Sequence, residues 1–410
     1  MIRLLRRLLW VATILFAILL GAELAARMDD RVRYGVPLTA EPNENRDLVV
    51  ADSTGWHGRP YGRYKQWQLD RFGFRSPDIA LTPPPGCKRV VVMGASETFG
   101  LYESDSMEYP AQLQRLLAKD GCYQVVNAAI VGFSVPALTQ LWNSWVSRFK
   151  PDVVVVYPSP VFYLADRIPH YRLIPKRSIR SDPSRWWFPR LVDRAHDEFH
   201  WPDVIQRHRV KRGLDSYDAT HASDSLFAAV PSARLQAFYC DLDSLVTTID
   251  NNGAQPVLVT HATRFSNPPM AEDSAMLSAW RQFTPRATTA VLVSFEAAAR
   301  ASVIELGQQR DVPVVDAAAV LGGHRMWFGD FVHFTDEGAS IMADLLEARI
   351  RRLPGRIAPA HPPSAACGRP KLEAARGELF RSAPKDKTST RRSGTTSPPS
   401  GTTSRAPSAP

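Results

Sequence analysis

The sequence predicts an α/β fold, a three-layer α/β/α sandwich around a five-stranded parallel sheet, and three observations point to it. Short β-branched runs recur at 89–93 (RVVVM), 124–127 (QVVN), 152–157 (DVVVVY), 256–261 (PVLVTH) and 312–316 (VPVVD). These runs are largely continuous in apolar residues instead of alternating, the pattern of strands covered on both faces. Helix-length patterns separate them, over 108–119, 136–149, 226–252 and 287–309, with a last one over 337–352. Parallel strands joined through helices imply right-handed crossovers and helices on both faces of the sheet. In open sheets of this kind ligands bind beyond the carboxyl ends of the strands, so the chemistry is sought there.

A chain of 410 residues is long enough for a sizeable core, and 44% apolar with 22% charged residues is ordinary globular usage. Wholesale disorder, a collagen-like chain and a polytopic membrane protein are thereby excluded. The net charge of +9 is unevenly spread. Residues 351–410 hold 12 Lys and Arg against 3 acids, 167–212 hold 12 against 5, and the first 27 residues hold 4 against 1. The rest of the chain is acidic, and nucleic acid is not the expected partner.

Arg3, Arg6 and Arg7 precede LLWVATILFAILLGA, an uncharged run over 8–22 that reaches residue 26 if Glu23 sits at the interface. A bilayer span takes roughly 20 apolar residues. Glu23 and Leu24 interrupt the alanines that would form a cleavage site. Residues 1–27 are therefore read as a membrane anchor, with a cleaved signal peptide as the alternative. The basic flank keeps the N-terminus in the cytoplasm, so the body after Arg27 is exported from a single pass through the inner membrane, into the periplasm or its equivalent.

Residues 28–86 read as an extension rich in aromatic, Pro and Gly residues, closing on Pro83-Pro84-Pro85-Gly86, and the α/β domain follows over 87–353. Cys87 and Cys122 stand just before the first two strand runs. If those strands are parallel neighbours, both thiols lie at one edge of the sheet within reach of a bridge; the alternative is two free thiols. Cys240 and Cys367 have no evident partner. None of the four has metal-site spacing, and no metal or cofactor is expected. Residues 162–224, rich in Arg, Trp and Pro (Arg185, Trp186, Trp187, Trp201), are too long for an ordinary connection and are expected to form a lid or mobile insertion over the crevice. Ten prolines from Pro354 onward and the ending TTSPPSGTTS cannot build a core, so 354–410 is read as disordered.

The first strand runs into Gly94-Ala95-Ser96-Glu97-Thr98-Phe99-Gly100. A serine just past a buried strand points into the crevice, although a lone serine there is more often a helix cap. Thr98 stands where the GxSxG elbow would have its second glycine, so this is not that motif. After the fifth strand comes Gly329-Asp330-Phe331-Val332-His333-Phe334. The three-residue spacing lets the Asp330 carboxylate fold back on the His333 imidazole, fix its tautomer and leave the other ring nitrogen for Ser96. The bland reading is a surface histidine ahead of a capped helix.

Together these two strand ends resemble the SGNH/GDSL hydrolase superfamily over roughly 70–160 and 310–350. The resemblance implies a flavodoxin-like fold with Ser96 as nucleophile, His333 as base and Asp330 as its orienting acid. It also implies that Gly132, in VVNAAIVGFS, offers a backbone N–H to the oxyanion beside that of Ser96. Gly73-Phe74-Arg75 and Tyr109-Pro110-Ala111 are similar to exported, single-anchor members. The departures are specific. Ala95 replaces the usual Asp, and PDVVVVYPSPVFY puts Ser159 at the glycine and Val161 at the asparagine of the third block. Losing one oxyanion donor typically costs ~10²–10³ in rate. Ser159, Tyr163 and Asn127 are the local polar groups available to replace it. His261, past the fourth strand, is read as a structural histidine, with a place in the substrate site as the alternative.

The expected function is an exported, membrane-anchored serine esterase that removes acyl groups, acetyl foremost, from glycans, with lipid esters as the next choice. Trp faces stack on sugars and Arg pairs with carboxylate or phosphate, which the insertion would supply. Two alternatives stand beside it. One is an O-acyltransferase using the same triad and a membrane partner as donor. The other is a non-catalytic glycan-binding domain, suggested by Val161 and Ala95 and opposed by the joint retention of Ser96, Asp330 and His333.

Overall fold

The computed structural model describes residues 2–41, 45–165, 187–198, 203–220, 226–353 and 367. Helix α1 (Ile2–Tyr34) holds a stretch long and apolar enough to cross a membrane. It does not stop at 27. Beyond Ala22 it turns charged, and the pairs Glu23–Arg27 (2.6 Å) and Asp29–Arg33 (2.8 Å), each four residues apart, carry it on. The extension, expected only as mixed sequence, folds into two small antiparallel hairpins: β1 (Val49–Asp52) with β2 (Gly55–Gly58), and β3 (Arg63–Tyr64) with β4 (Trp67–Gln68). Trp67 and Leu69 bury against Leu48 and Phe99, which ties the extension to the turn after the first core strand.

The core then runs β5 (Lys88–Gly94), α2 (Ser96–Phe99), α3 (Tyr109–Leu117), β6 (Tyr123–Asn127), α4 (Val135–Ser144) and β7 (Val153–Tyr157). The insertion contributes α5 (Pro189–Glu198) and α6 (Asp203–Thr220). There follow α7 (Ser232–Asn251), β8 (Gln255–Val259), α8 (Ser274–Arg281), α9 (Thr289–Arg310), β9 (Val314–Val315), α10 (Ala317–Leu321) and α11 (Asp336–Arg351). The five core strands are all parallel in the order β6-β5-β7-β8-β9. The chain steps from β5 to one side and then to the other, so the order reverses beside β5 and opens a crevice at its carboxyl end.

Both faces of the sheet are covered, as the continuous apolar strands require. Val90, Val92, Val153, Val155 and Val257 pack with Tyr109, Leu113 and Leu117 of α3 and with Met342, Ala343 and Leu346 of α11. Side chains alternate along a strand. The intervening Val91, Met93, Val154, Val156 and Leu258 therefore turn to the other layer, and all are at most 1% exposed. In that layer α7 packs on both α4 and α9.

Cys87 and Cys122 form a disulfide across the amino ends of β5 and β6, with Cα atoms 4.5 Å apart. Among the described residues no cysteine is free, which corrects the expectation that Cys240 and Cys367 lack partners. The described part of the insertion is helical. Helix α5 docks on the charged end of α1: the Leu191 N–H donates to Glu23 (2.8 Å), and Arg194 pairs with Asp29 (2.5 Å) and Asp30 (2.7 Å). Helix α6 packs on α8, where Arg281 pairs with Asp218 (2.5 Å). Arg185, Trp186, Trp201 and, apart from Cys367, the tail 354–410 lie outside the described residues.

Candidate active site

The residues at the end of β5 are held where only small groups fit. Gly94 pairs with Tyr157 of β7, and a Cβ there would run into the Thr98 side chain and come 3.0 Å from the Tyr157 carbonyl. Ser96 opens the single turn α2, which ends on Gly100 with φ +89°. The Ala128 N–H donates to Val92 O (2.9 Å) and the Ile130 N–H to Gly94 O (3.2 Å), drawing the segment after β6 across the crevice mouth. That segment reaches Gly132, whose φ of +84° suits glycine. Among the described residues neither the Ser96 nor the Gly132 N–H donates to a backbone carbonyl.

Ahead of α11 the second block is equally ordered. Asp330 Oδ1 accepts the backbone N–H groups of Val332 and His333, both at 2.9 Å, and Oδ2 takes the Nδ1 hydrogen of His333 at 2.7 Å. Burial works against the Asp330 anion, but His333 and those N–H groups hold its carboxyl below the ordinary range. Burial also works against the His333 cation, yet Asp330, then Glu97 and Glu103, push the imidazole above its ordinary value. His333 Nε2 is buried and has no partner among the described residues. The Tyr102 ring stacks on the imidazole at 5.2 Å, and Phe331 lies 6.3 Å away. Trp280 of α8 stacks on Phe331 in turn (5.7 Å).

The remaining sequence candidates are placed as follows. The Ser159 hydroxyl donates to Glu97 Oε1 (2.9 Å), and that of Tyr163 donates to Asp241 of α7 (2.6 Å). Each has one hydrogen, and each is already given to a carboxylate. Asn127 donates to Thr98 O (3.1 Å) and accepts from the Ala129 N–H (3.2 Å), so it braces the turn behind Ser96. Val161 is buried, at the place where the sequence resemblance would have an asparagine. His261 is a buried structural histidine: Nδ1 bonds Glu296 (2.8 Å) and Nε2 bonds Glu97 (3.2 Å). Burial pulls its pKa down, but the two carboxylates win and raise it well above the usual imidazole range.

Three carboxyls at this site were not singled out from sequence. Glu97 is 3% exposed and accepts the Ser96 hydroxyl hydrogen at 3.4 Å. Glu296 is the one charged residue in the α9 stretch LVSFEAAA, which is the signal that could have found it. Glu103 is 2% exposed, and Oε2 accepts the Tyr102 N–H (3.1 Å) while Oε1 has no partner among the described residues. Burial drives Glu103 up to about 8, against the pull of its own and the Tyr102 N–H and the charges of His333 and Arg75. A carboxyl raised in the fold favours folding at low pH. Its contribution is intact below the unfolded value near 4.3 and is lost as pH climbs through about 8. Glu103→Gln cannot ionise. It is expected to lose less stability than the wild type between pH 5 and pH 9, by about 4 kcal/mol at the limit, in urea denaturation. Equal losses in the two proteins would show that Glu103 ionises freely in the fold.

No protein-family model and no curated protein matches the chain. Among solved structures it is similar to TesA, at 16% identity and a TM-score of 0.37 over 64% of this chain and 98% of that one. It is also similar to the lipase/acylhydrolase from Enterococcus faecalis (16%, TM-score 0.38, 66% and 100% covered). A third is Axe2, an acetylxylan esterase from Geobacillus stearothermophilus (16%, TM-score 0.36, 64% and 94% covered). Likenesses this distant say nothing of what this chain acts on. In its strand order, in Ser96 just past the first core strand and in the Asp330–His333 pair ahead of the last helix, the chain is similar to the SGNH/GDSL hydrolases, with Val161 in place of their third-block asparagine.

Proposed function

We propose that the chain is a membrane-anchored serine ester hydrolase of the SGNH/GDSL type that removes acyl groups, acetyl foremost, from glycans outside the cytoplasm. The observation that carries this reading is the Asp330–His333 pair, with Nδ1 held at 2.7 Å and Nε2 buried and unpartnered among the described residues. An imidazole fixed in that tautomer is a base waiting for a hydroxyl. His333 Nε2 takes the Ser96 hydrogen as Oγ bonds to the ester carbon. The carbonyl oxygen becomes an oxyanion, for which the Ser96 and Gly132 N–H groups are the available donors. Collapse expels the alcohol with the proton from His333, and water activated by the same nitrogen then cleaves the acyl-enzyme. A site with two donors and a buried Val161 suits esters, whose leaving groups depart more readily than amines.

What supports an anchor over a cleaved signal is the burial of Glu23, whose carboxylate accepts the Leu191 N–H of α5 at 2.8 Å. Cleavage at the end of 1–27 would leave Asp29 and Asp30 to Arg190 and Arg194 but would strand the Leu191 N–H without its acceptor. The arginines of the first turn then face the cytoplasm. A second reading, an O-acyltransferase, is favoured by one observation: His333 lies 9% exposed between Tyr102 and Phe331, which limits the access of water. A glycan hydroxyl would then take the acyl group.

The test is covalent labelling of the full chain in detergent with a fluorophosphonate, followed by peptide mass spectrometry. A single adduct on Ser96, absent from Ser96→Ala, is expected. Hydrolysis and transfer are told apart by adding sugar acceptors to p-nitrophenyl acetate and weighing the products. A folded wild type that takes no label would end the catalytic reading and leave glycan binding.

A further inference from the structure

Two facts at the nucleophile belong together. The Ser96 hydroxyl points its hydrogen at Glu97 Oε2 (3.4 Å), and His333 Nε2, the atom that should receive it, has no partner among the described residues. Glu97 is not free to swing aside. Its Oε1 is held by the Ser159 hydroxyl (2.9 Å) and by His261 Nε2 (3.2 Å), and His261 is held from behind by Glu296 (2.8 Å). The array thus pins the ends of β5, β7 and β8 and helix α9 around one carboxylate. Glu97, Ser159, His261 and Glu296 are each 9% exposed or less, and Ser96 is half-buried.

We infer that Glu97 is a positioning residue that keeps the Ser96 hydroxyl hydrogen away from His333 until a substrate occupies the crevice. This rests on the reading of Ser96 and His333 as nucleophile and base. In the resting site a carboxylate outcompetes an imidazole nitrogen as acceptor, because hydrogen bonds to charged groups are the stronger ones. An acyl carbonyl entering beside Ser96 puts a partial negative charge near Glu97, and the hydroxyl then turns to Nε2 as attack begins. The same carboxylate opposes the oxyanion, so attack at Ser96 is slower with Glu97 present than without its charge. Burial raises Glu97, but His261 first and His333 next bring it well below the ordinary range, so it is an anion at neutral pH. The groups facing it are Ser96, Ser159, His261 and His333, with the buried Tyr109 and Tyr157 phenols also within its field. Those acting on His333 are Asp330, Glu97 and Glu103, with Tyr102 stacked on its ring.

Glu97→Gln keeps the shape, and its amide can accept from Ser159 and His261 through oxygen while the NH₂ group turns to Ser96 as a donor. The second-order rate of fluorophosphonate labelling at Ser96 is expected to rise about tenfold at pH 7. Its pH midpoint is expected to fall, because one of the carboxylates that raise His333 is gone. Ser159→Ala is the second variant. It leaves Glu97 Oε1 with one donor fewer and a stronger pull on Ser96, so labelling is expected to slow about threefold. Opposite directions in two substitutions on one carboxylate are not what a merely structural array produces. A wild type that labels while folded Glu97→Gln labels no faster overturns this inference and leaves the proposed function standing. A folded wild type and folded Glu97→Gln that both stay unlabelled overturn both. If Glu97→Gln does not fold, Ser159→Ala that labels as fast as wild type overturns the inference alone.

Discussion

Replacing His333 with alanine is expected to cut the turnover of p-nitrophenyl acetate by about 10³-fold or more, with Ser96→Ala costing as much and the double variant little beyond either. In the proposed reaction the two side chains act on one proton, so removing either removes the step. Asp330→Asn is the more instructive change. An asparagine oxygen can still accept the Val332 and His333 N–H groups that Oδ1 accepts now, at 2.9 Å, so the loop keeps its shape. Its NH₂ group, however, meets Nδ1 where a carboxylate oxygen stood at 2.7 Å. Two donors cannot share that bond. The imidazole must then carry its hydrogen on Nε2, where the base is needed, and activity is expected to fall about 10³–10⁴-fold with an unchanged melting curve. Steady-state kinetics beside circular dichroism decides it. An Asp330→Asn protein that keeps a tenth of the wild-type rate would remove the tautomer-fixing role of Asp330 from the mechanism.

Breaking the Cys87–Cys122 bridge is expected to do the reverse, lowering stability and sparing chemistry. The bridge closes a loop of 35 residues' separation, and the entropy it removes from the unfolded chain corresponds to about 4 kcal/mol. It sits at the amino ends of β5 and β6, the opposite edge of the sheet from Ser96. Backbone pairing there continues without it, since Lys88 N–H donates to Cys122 O at 2.9 Å. The Cys87→Ser/Cys122→Ser protein is therefore expected to unfold at markedly lower urea while labelling at Ser96 as fast as wild type at 25 °C. A midpoint that does not move would show that the unfolded chain is already constrained there.

The parts of the site that were legible in the sequence are those made over short distances. Asp330 and His333 are three residues apart, so their contact needs only a local turn, and DxxH ahead of a helix shows it. Ser96 follows an apolar strand run, which places it at a carboxyl end. The five strand runs were legible because burial on both faces demands unbroken apolar sequence. The short hairpins of 49–68 escaped, since two-residue and four-residue strands leave no periodicity to read.

Other features were decided elsewhere. Ser159 and Tyr163 were legible as hydroxyls near the crevice, but a hydroxyl has one hydrogen, and the nearest carboxylate takes it: Glu97 in one case and Asp241 in the other. His261 was legible as a histidine at a strand end. Its charge was not, because that depends on Glu97, 164 residues away, and on Glu296, 35 residues away.

The sequence by itself determined the layered α/β architecture, the membrane-length helix and the serine and Asp–His blocks, because hydrophobic periodicity and contacts a few residues long are written locally in the chain. Only the tertiary structure decided which acceptor holds the Ser96 hydrogen and which histidine is charged. Hydrogen bonds and buried charge depend on distances of a few ångströms, and those exist only after the sheet has brought remote strand ends together.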